Sequence, residues 1–152
     1  MAGVQVIVGP RPLTPDQVVA VARDDADVQV GHEALEAMAA SRAQVEALAR
    51  GDRPAYGIST GFGALATTSI PPERRADLQR SLIRSHAASS GSVVEREVVR
   101  AMMLLRLRTL ATGRTGVRPV IAQRMADLLN AGITPVVREF GSLGCSGDLA
   151  PL

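Results

Sequence analysis

Val93-Val-Glu-Arg-Glu-Val-Val-Arg-Ala-Met-Met-Leu-Leu-Arg-Leu-Arg-Thr-Leu-Ala-Thr112 is the most apolar helix-like stretch of the 152-residue chain. Val94, Val98, Met102 and Leu105 recur in it at helical spacing, which predicts an amphipathic helix with that stripe buried. Outward from it the punctuation is regular. Gly113 and Gly116 close the run, and Pro119 opens a further helix that ends near Asn130-Ala-Gly132. On the other side, Pro71-Pro72 opens a helix to about Ser89 with Leu78, Leu82 and Ser85 along one face, and Gly91 stops it. An earlier helix is expected from Glu33 to Arg50, with Leu35, Met38, Val45 and Leu48 as its apolar positions and Gly51 as its stop. Thr14-Pro15-Asp16-Gln17 reads as a helix start, Thr14 being the N-cap and Gln17 completing a capping box. Val4 to Val8 reads as a short strand closed by Pro10 and Pro12, and Ile133 to Phe140 as extended chain. The expectation is a mainly α fold with a few short strands, in one domain without repeats or linkers.

Composition agrees and narrows the function. Apolar residues make up 46% of the chain and aromatic ones 2%, so the core must be aliphatic. All 17 basic residues are arginines, yet the net charge is only +2. With acids mixed among those arginines and stacking aromatics nearly absent, no nucleic-acid partner is expected. Cys145 is the sole cysteine, which excludes an intrachain disulfide, and His32 and His86 are the only histidines, so no zinc site is expected. The N-terminus lacks the features of a signal peptide, and the apolar run Ala101 to Leu105 meets Arg106 at once. A cytoplasmic protein without a membrane partner is the expectation.

Three segments carry candidate chemistry. Pro54 to Ile70 holds Gly57, Gly61, Gly63 and the only tyrosine, Tyr56, with no clean period: a loop of small residues of the kind that bears function on a scaffold. Ser85 and His86 are adjacent on an expected helix, where neighbours point about 100° apart, so they do not form a hydrolase pair. Gly141-Ser-Leu-Gly-Cys-Ser-Gly-Asp-Leu-Ala-Pro-Leu152 closes the chain. Within it a backbone can cyclise on itself, the Gly147 nitrogen attacking the Cys145 carbonyl. Loss of two waters, one from the Ser146 side chain, leaves an exocyclic methylene on an imidazolone ring. Glycine suits the attacking position because no Cβ blocks the approach. An ordinary glycine-rich turn is the competing reading. The Gly-x-Ser-x-Gly elbow of hydrolases is not matched, because its last position is Asp148.

Taken together, Tyr56-Gly-Ile-Ser-Thr-Gly-Phe-Gly63, Arg84-Ser-His-Ala-Ala88, Gly116-Val-Arg-Pro119, Asn130-Ala-Gly-Ile-Thr-Pro-Val-Val137 and Gly141 to Leu152 resemble the N-terminal part of the histidine ammonia-lyases, in register over essentially the whole chain. The resemblance implies the N-terminal helical domain of the ammonia-lyase fold, carrying an active-site loop. It also implies the methylidene-imidazolone electrophile (MIO), made autocatalytically from Cys145-Ser146-Gly147, with no metal or diffusible cofactor. An electrophile that captures the substrate amine turns it into a better leaving group, which is covalent catalysis. By the same resemblance Tyr56 is the base that takes the β-proton, Ser85 and His86 face the substrate side chain, and Asp148 positions the cyclising tripeptide. Ser-His at this point is similar to the histidine-type enzymes, implying L-histidine as substrate and urocanate and ammonia as products.

The chain departs from the family at Ser59, where many members have asparagine, and at Arg138 and Phe140, where close relatives often have histidine and tyrosine. Family members also continue past residue 152 with a central helical bundle and a C-terminal part, and they assemble as homotetramers whose sites are completed across subunits. The expected partners are therefore the remainder of the enzyme, in cis or as a separate chain, and further copies. Other readings are a non-catalytic relative acting as an interaction or regulatory subunit, or part of a related aromatic amino acid ammonia-lyase or aminomutase.

Overall fold

The computed structural model describes residues 4–141 and Ala150. The elements run β1 (Gln5–Val8), α1 (Pro15–Arg23), β2 (Asp27–Val30), α2 (His32–Arg50), α3 (Arg75–His86), β3 (Ser90–Val93), α4 (Arg96–Leu110), α5 (Pro119–Asn130) and β4 (Arg138–Phe140). The chain is mainly helical, as expected. It divides into two compact units, one of residues up to Gln44 with Val94–Val136, the other of Val45–Val93 with the residues after 136.

The first unit is built on a small β-α-β turn. β1 and β2 pair in parallel with Val6 opposite Val28 and Val8 opposite Val30. Strand alternation puts these four valines inside while Gln5, Ile7, Asp27 and Gln29 face outward. Each buried valine contributes roughly 1.5–3 kcal/mol. α1 starts as its sequence dictates: Thr14 Oγ1 accepts from the Gln17 N–H at 3.3 Å, and Gln17 Oε1 accepts from the Thr14 N–H at 2.9 Å. α1 packs on α4, and α5 packs on β2 and α4. β2, which was not expected, is completed on its free edge by a side chain. Asn130 Oδ1 accepts from the Val28 N–H at 2.8 Å and Nδ2 donates to the Val28 carbonyl at 2.9 Å, as a neighbouring strand would.

α5 runs from Pro119 to Asn130 as read, and Gly132 ends it. The Ile133 N–H reaches the Leu128 carbonyl and the Gly132 N–H the Leu129 carbonyl, a Schellman closure that places Gly132 at φ +68°.

The stripe expected on α4 is the wrong one. Val99, Arg100, Leu104, Leu107 and Leu110 are buried, whereas Val98 and Leu105 are exposed. The helix is apolar on both sides, and the decisive residue on the buried side is an arginine. The Arg100 side chain is 0% exposed. Its Nε and Nη2 donate to the Val21 carbonyl at 3.1 and 2.9 Å, and Nη1 donates to the Leu129 carbonyl at 3.1 Å. One guanidinium thus closes the last turns of α1 and α5. Nη2 also stands 3.0 Å from Asp25 Oδ1, which accepts from Arg96 Nη2 at 2.8 Å. Burial lowers the Arg100 pKa from the ordinary arginine value, opposed by the charge of Asp25. The Arg96 hydrogen bond holds Asp25 below the usual carboxylate range, against a smaller effect of burial.

The second unit departs from expectation in three places. The segment after Pro71 begins as a short 3-10 turn, Pro72–Arg74, and α3 ends at His86 instead of near Ser89. Gly91 therefore lies in β3, paired antiparallel with β4, with Ser90 opposite Phe140 and Val93 opposite Arg138. Of the stretch expected to be extended, only Arg138–Phe140 forms a ladder. Among the described residues of this unit the buried ones are Ser59, Thr60 and Gly61. No described helix is long and apolar enough to cross a membrane.

Candidate active site

The loop from Pro54 to Ile70 is irregular but tightly bonded. The Ala55 carbonyl accepts from the N–H groups of Ile58 and Ser59 at 3.0 and 2.9 Å, and Ser59 Oγ accepts in return from the Ala55 N–H at 2.9 Å. Thr60 Oγ1 accepts from the Gly57 N–H at 3.3 Å and donates to the Gly61 carbonyl at 3.1 Å. The far side is tied back where the Ile70 N–H donates to the Ser59 carbonyl and the Gly61 N–H to the Thr68 carbonyl. Arg75, in the first turn of α3, anchors the base with Nε on the Ile70 carbonyl at 3.1 Å and Nη1 on the Ala49 carbonyl at 2.9 Å.

This frame presents Tyr56. The residue is 65% exposed, and its ring meets Phe62 edge-on, centroids 5.7 Å apart. Tyr56 Oη accepts a hydrogen bond from the Gly63 N–H at 3.3 Å. Gly57 is required beside it, because its φ is +68° and an added Cβ would lie 2.7 Å from Phe62 Cε1. A phenolic oxygen on a rigid turn, met by a backbone N–H, suits a group that acts as an anion, because the donor favours the phenolate.

Ser85 and His86 are closer than helix geometry suggested. Ser85 Oγ lies 2.8 Å from His86 Nδ1, and both reach the Leu82 carbonyl, Oγ at 2.9 Å and Nδ1 at 2.8 Å. The two side chains curl back onto one carbonyl a turn earlier, which brings neighbours into contact despite their divergent Cβ directions. Among the described residues no hydrogen bond or ring contact joins Tyr56 to His86. A cavity of about 290 Å³ is lined by Asp52, Pro54, Ser59, Thr60, Ser69 and Arg75 among others, but by neither Tyr56 nor His86. It backs the loop and does not gather the candidate groups.

Arg138 and Phe140, two of the noted departures, serve the β3–β4 pair. Arg138 Nη1 donates to the Gly91 carbonyl at 2.7 Å, and the Phe140 ring occupies the space a Cβ on Gly91 would need. Cys145, Ser146, Gly147 and Asp148 lie outside the described residues. No group of three or more His, Cys, Asp or Glu side chains gathers among the described residues in a way that could hold a metal ion. Two participants were missed in the sequence, the Gly63 N–H and the Leu82 carbonyl. Both are backbone groups. Only the second left a signal, the four-residue spacing between Leu82 and His86.

The chain is similar to known proteins over nearly its whole length. The family described as aromatic amino acid lyase matches residues 13–152. The histidine ammonia-lyase of Streptomyces coelicolor is 63% identical over 147 residues, covering 97% of this chain and 29% of that protein. The tyrosine aminomutase of Streptomyces globisporus superposes with a TM-score of 0.89 at 40% identity, over 97% of this chain and 28% of its own. The histidine ammonia-lyase of Trypanosoma cruzi gives 0.84 at 35%, over 97% and 28%. The chain thus spans under a third of the length of these relatives.

Proposed function

The chain belongs to the aromatic amino acid lyase family, and from that premise we propose that it is the N-terminal part of an enzyme that eliminates ammonia from L-histidine to give urocanate. The observation that carries this reading is the 63% identity to a histidine ammonia-lyase over 97% of the chain. The remaining active-site groups come from the rest of the enzyme, in cis or on another chain, and from further copies in an oligomer, for which a homotetramer is the expected state.

Cys145-Ser146-Gly147 has the chemistry to form the MIO group: a glycine nitrogen free of steric hindrance and a serine with a β-hydroxyl to lose. When formed, that group supplies an electrophilic carbon for the substrate amine. Asp148 helps position the tripeptide. The chain's own side chains do the rest. As the phenolate, Tyr56 Oη takes the β-proton and becomes neutral, and the Gly63 N–H, already aimed at that oxygen, is a preorganised donor that stabilises the phenolate before the transfer. His86, held by Leu82 and Ser85, orients the substrate ring.

Absorbance at the urocanate band with L-histidine tests the reading. Ser146→Ala is expected to lose that signal with folding intact. An active Ser146→Ala variant would sink the mechanism, and a β-amino acid product in place of urocanate would assign the protein to the aminomutases.

A further inference from the structure

A side chain is aimed by its backbone, and the φ and ψ of Tyr56 turn on the two peptide planes that flank it. The plane before it carries the Ala55 carbonyl, which accepts from the N–H groups of Ile58, Ser59 and Thr60 at 3.0, 2.9 and 3.3 Å. The plane after it carries the Gly57 N–H, which donates to Thr60 Oγ1 at 3.3 Å. Thr60 therefore touches both planes, one through its backbone and one through its side chain. The second hold is the decisive one. Gly57 has a φ of +68°, and glycine visits either sign of φ readily, so sterics alone do not fix that plane. The hydroxyl is itself oriented, because Oγ1 donates to the Gly61 carbonyl at 3.1 Å and keeps its lone pairs for the Gly57 N–H. Thr60 is 2% exposed, so these bonds lie out of bulk water.

We infer that Thr60 is a positioning residue for the reaction, its hydroxyl fixing the peptide after Tyr56 so that the phenolic oxygen is held in one place. It acts through Tyr56 and not on the substrate. Serine supplies the same donor and acceptor, whereas valine has the shape of threonine and supplies neither. The inference rests on the reading of Tyr56 as the base, and it adds what aims that base.

The chain holds one tyrosine and no tryptophan, so its tyrosine fluorescence reports Tyr56 alone. In this chain Thr60→Val is expected to enlarge the fast, local part of the anisotropy decay, and Thr60→Ser to leave it near native. An unchanged decay in folded Thr60→Val overturns the inference. Should valine prevent folding, hydrogen exchange in the native chain decides. The Gly57 amide is expected to exchange at least about tenfold slower than an open peptide, and an unprotected amide there overturns the inference.

Turnover in the enzyme assembled with its remainder gives the second arm. Thr60→Val is expected to lower kcat at least about tenfold with KM held within about twofold, because the loss falls on the transition state. Thr60→Ser is expected to recover most of that rate. A smaller fall in kcat, a loss carried by KM, or no recovery with serine overturns the positioning role. Tyr56→Phe keeps the two readings apart: near-native turnover in that variant removes Tyr56 as base, whatever the anisotropy of Thr60→Val shows.

Discussion

The Gly63 backbone N–H donates to Tyr56 Oη at 3.3 Å, so the one tyrosine of the chain is held by the same loop that carries it. This bond spans seven residues and closes the loop over the Phe62 ring, which meets Tyr56 at 83°. Tyr56→Phe keeps the ring contact and removes only the oxygen. Because the side chain is largely exposed, stability should stay within about 0.5 kcal/mol. Urocanate formation should fall by roughly 10²–10⁴-fold. Turnover within tenfold of the native rate would remove Tyr56 from the role of base.

Arg100 should be the most sensitive position of the first unit. Its guanidinium satisfies the Val21 and Leu129 carbonyls and meets Asp25. Arg100→Met leaves two buried carbonyls and a carboxylate without it, a loss on the order of 3–5 kcal/mol in urea unfolding. Arg100→Lys should recover little, since an ammonium cannot fork to three acceptors. A cost below about 1 kcal/mol for Arg100→Met would show that water replaces the guanidinium freely.

Asp25 gives a pH dependence with a defined sign. Its folded pKa lies below the ordinary value of 3.8, chiefly through the Arg96 hydrogen bond. Its stabilising contribution is therefore complete above about pH 4 and is lost as the pH falls through the folded value. Asp25→Asn should lose less stability on acidification below pH 4 than the native protein does, and asparagine tolerates the φ of +52° at this position. Unfolding free energies with identical acid slopes in the two proteins would contradict the assignment.

Asn130 stands in for a strand beside Val28, accepting and donating at 2.8 and 2.9 Å. Asn130→Ala leaves both backbone groups unpaired and should cost about 1–3 kcal/mol. Asn130→Asp keeps the acceptor but loses the donor, so it should recover only part of that. If aspartate and asparagine prove equal in thermal unfolding, the Nδ2 bond contributes nothing.

How much of this was legible in the sequence depended on the range of the signal. The Thr14–Gln17 capping box and the Pro119-to-Gly132 helix were readable because each is written within a few neighbouring residues. β2 was not, since Asp27-Val-Gln-Val is four residues long and becomes a strand only by pairing with β1 and with Asn130. On α4 two apolar stripes share helical spacing, and the buried one contains Arg100, whose polarity argued for the surface until two backbone carbonyls and the Asp25 carboxylate were in place. At the site, Tyr56, Ser85 and His86 were legible as residue types. Their partners were not, because a peptide N–H or carbonyl has the same chemistry at every position and only the fold singles one out.

The central claim, that Cys145-Ser146-Gly147 becomes an electrophile, is tested most directly by the mass of the peptide containing it, released from the intact protein. The account predicts a peptide lighter by two water molecules in the native protein, and one of full mass in Ser146→Ala. A native peptide at full, unmodified mass in the assembled protein would contradict it.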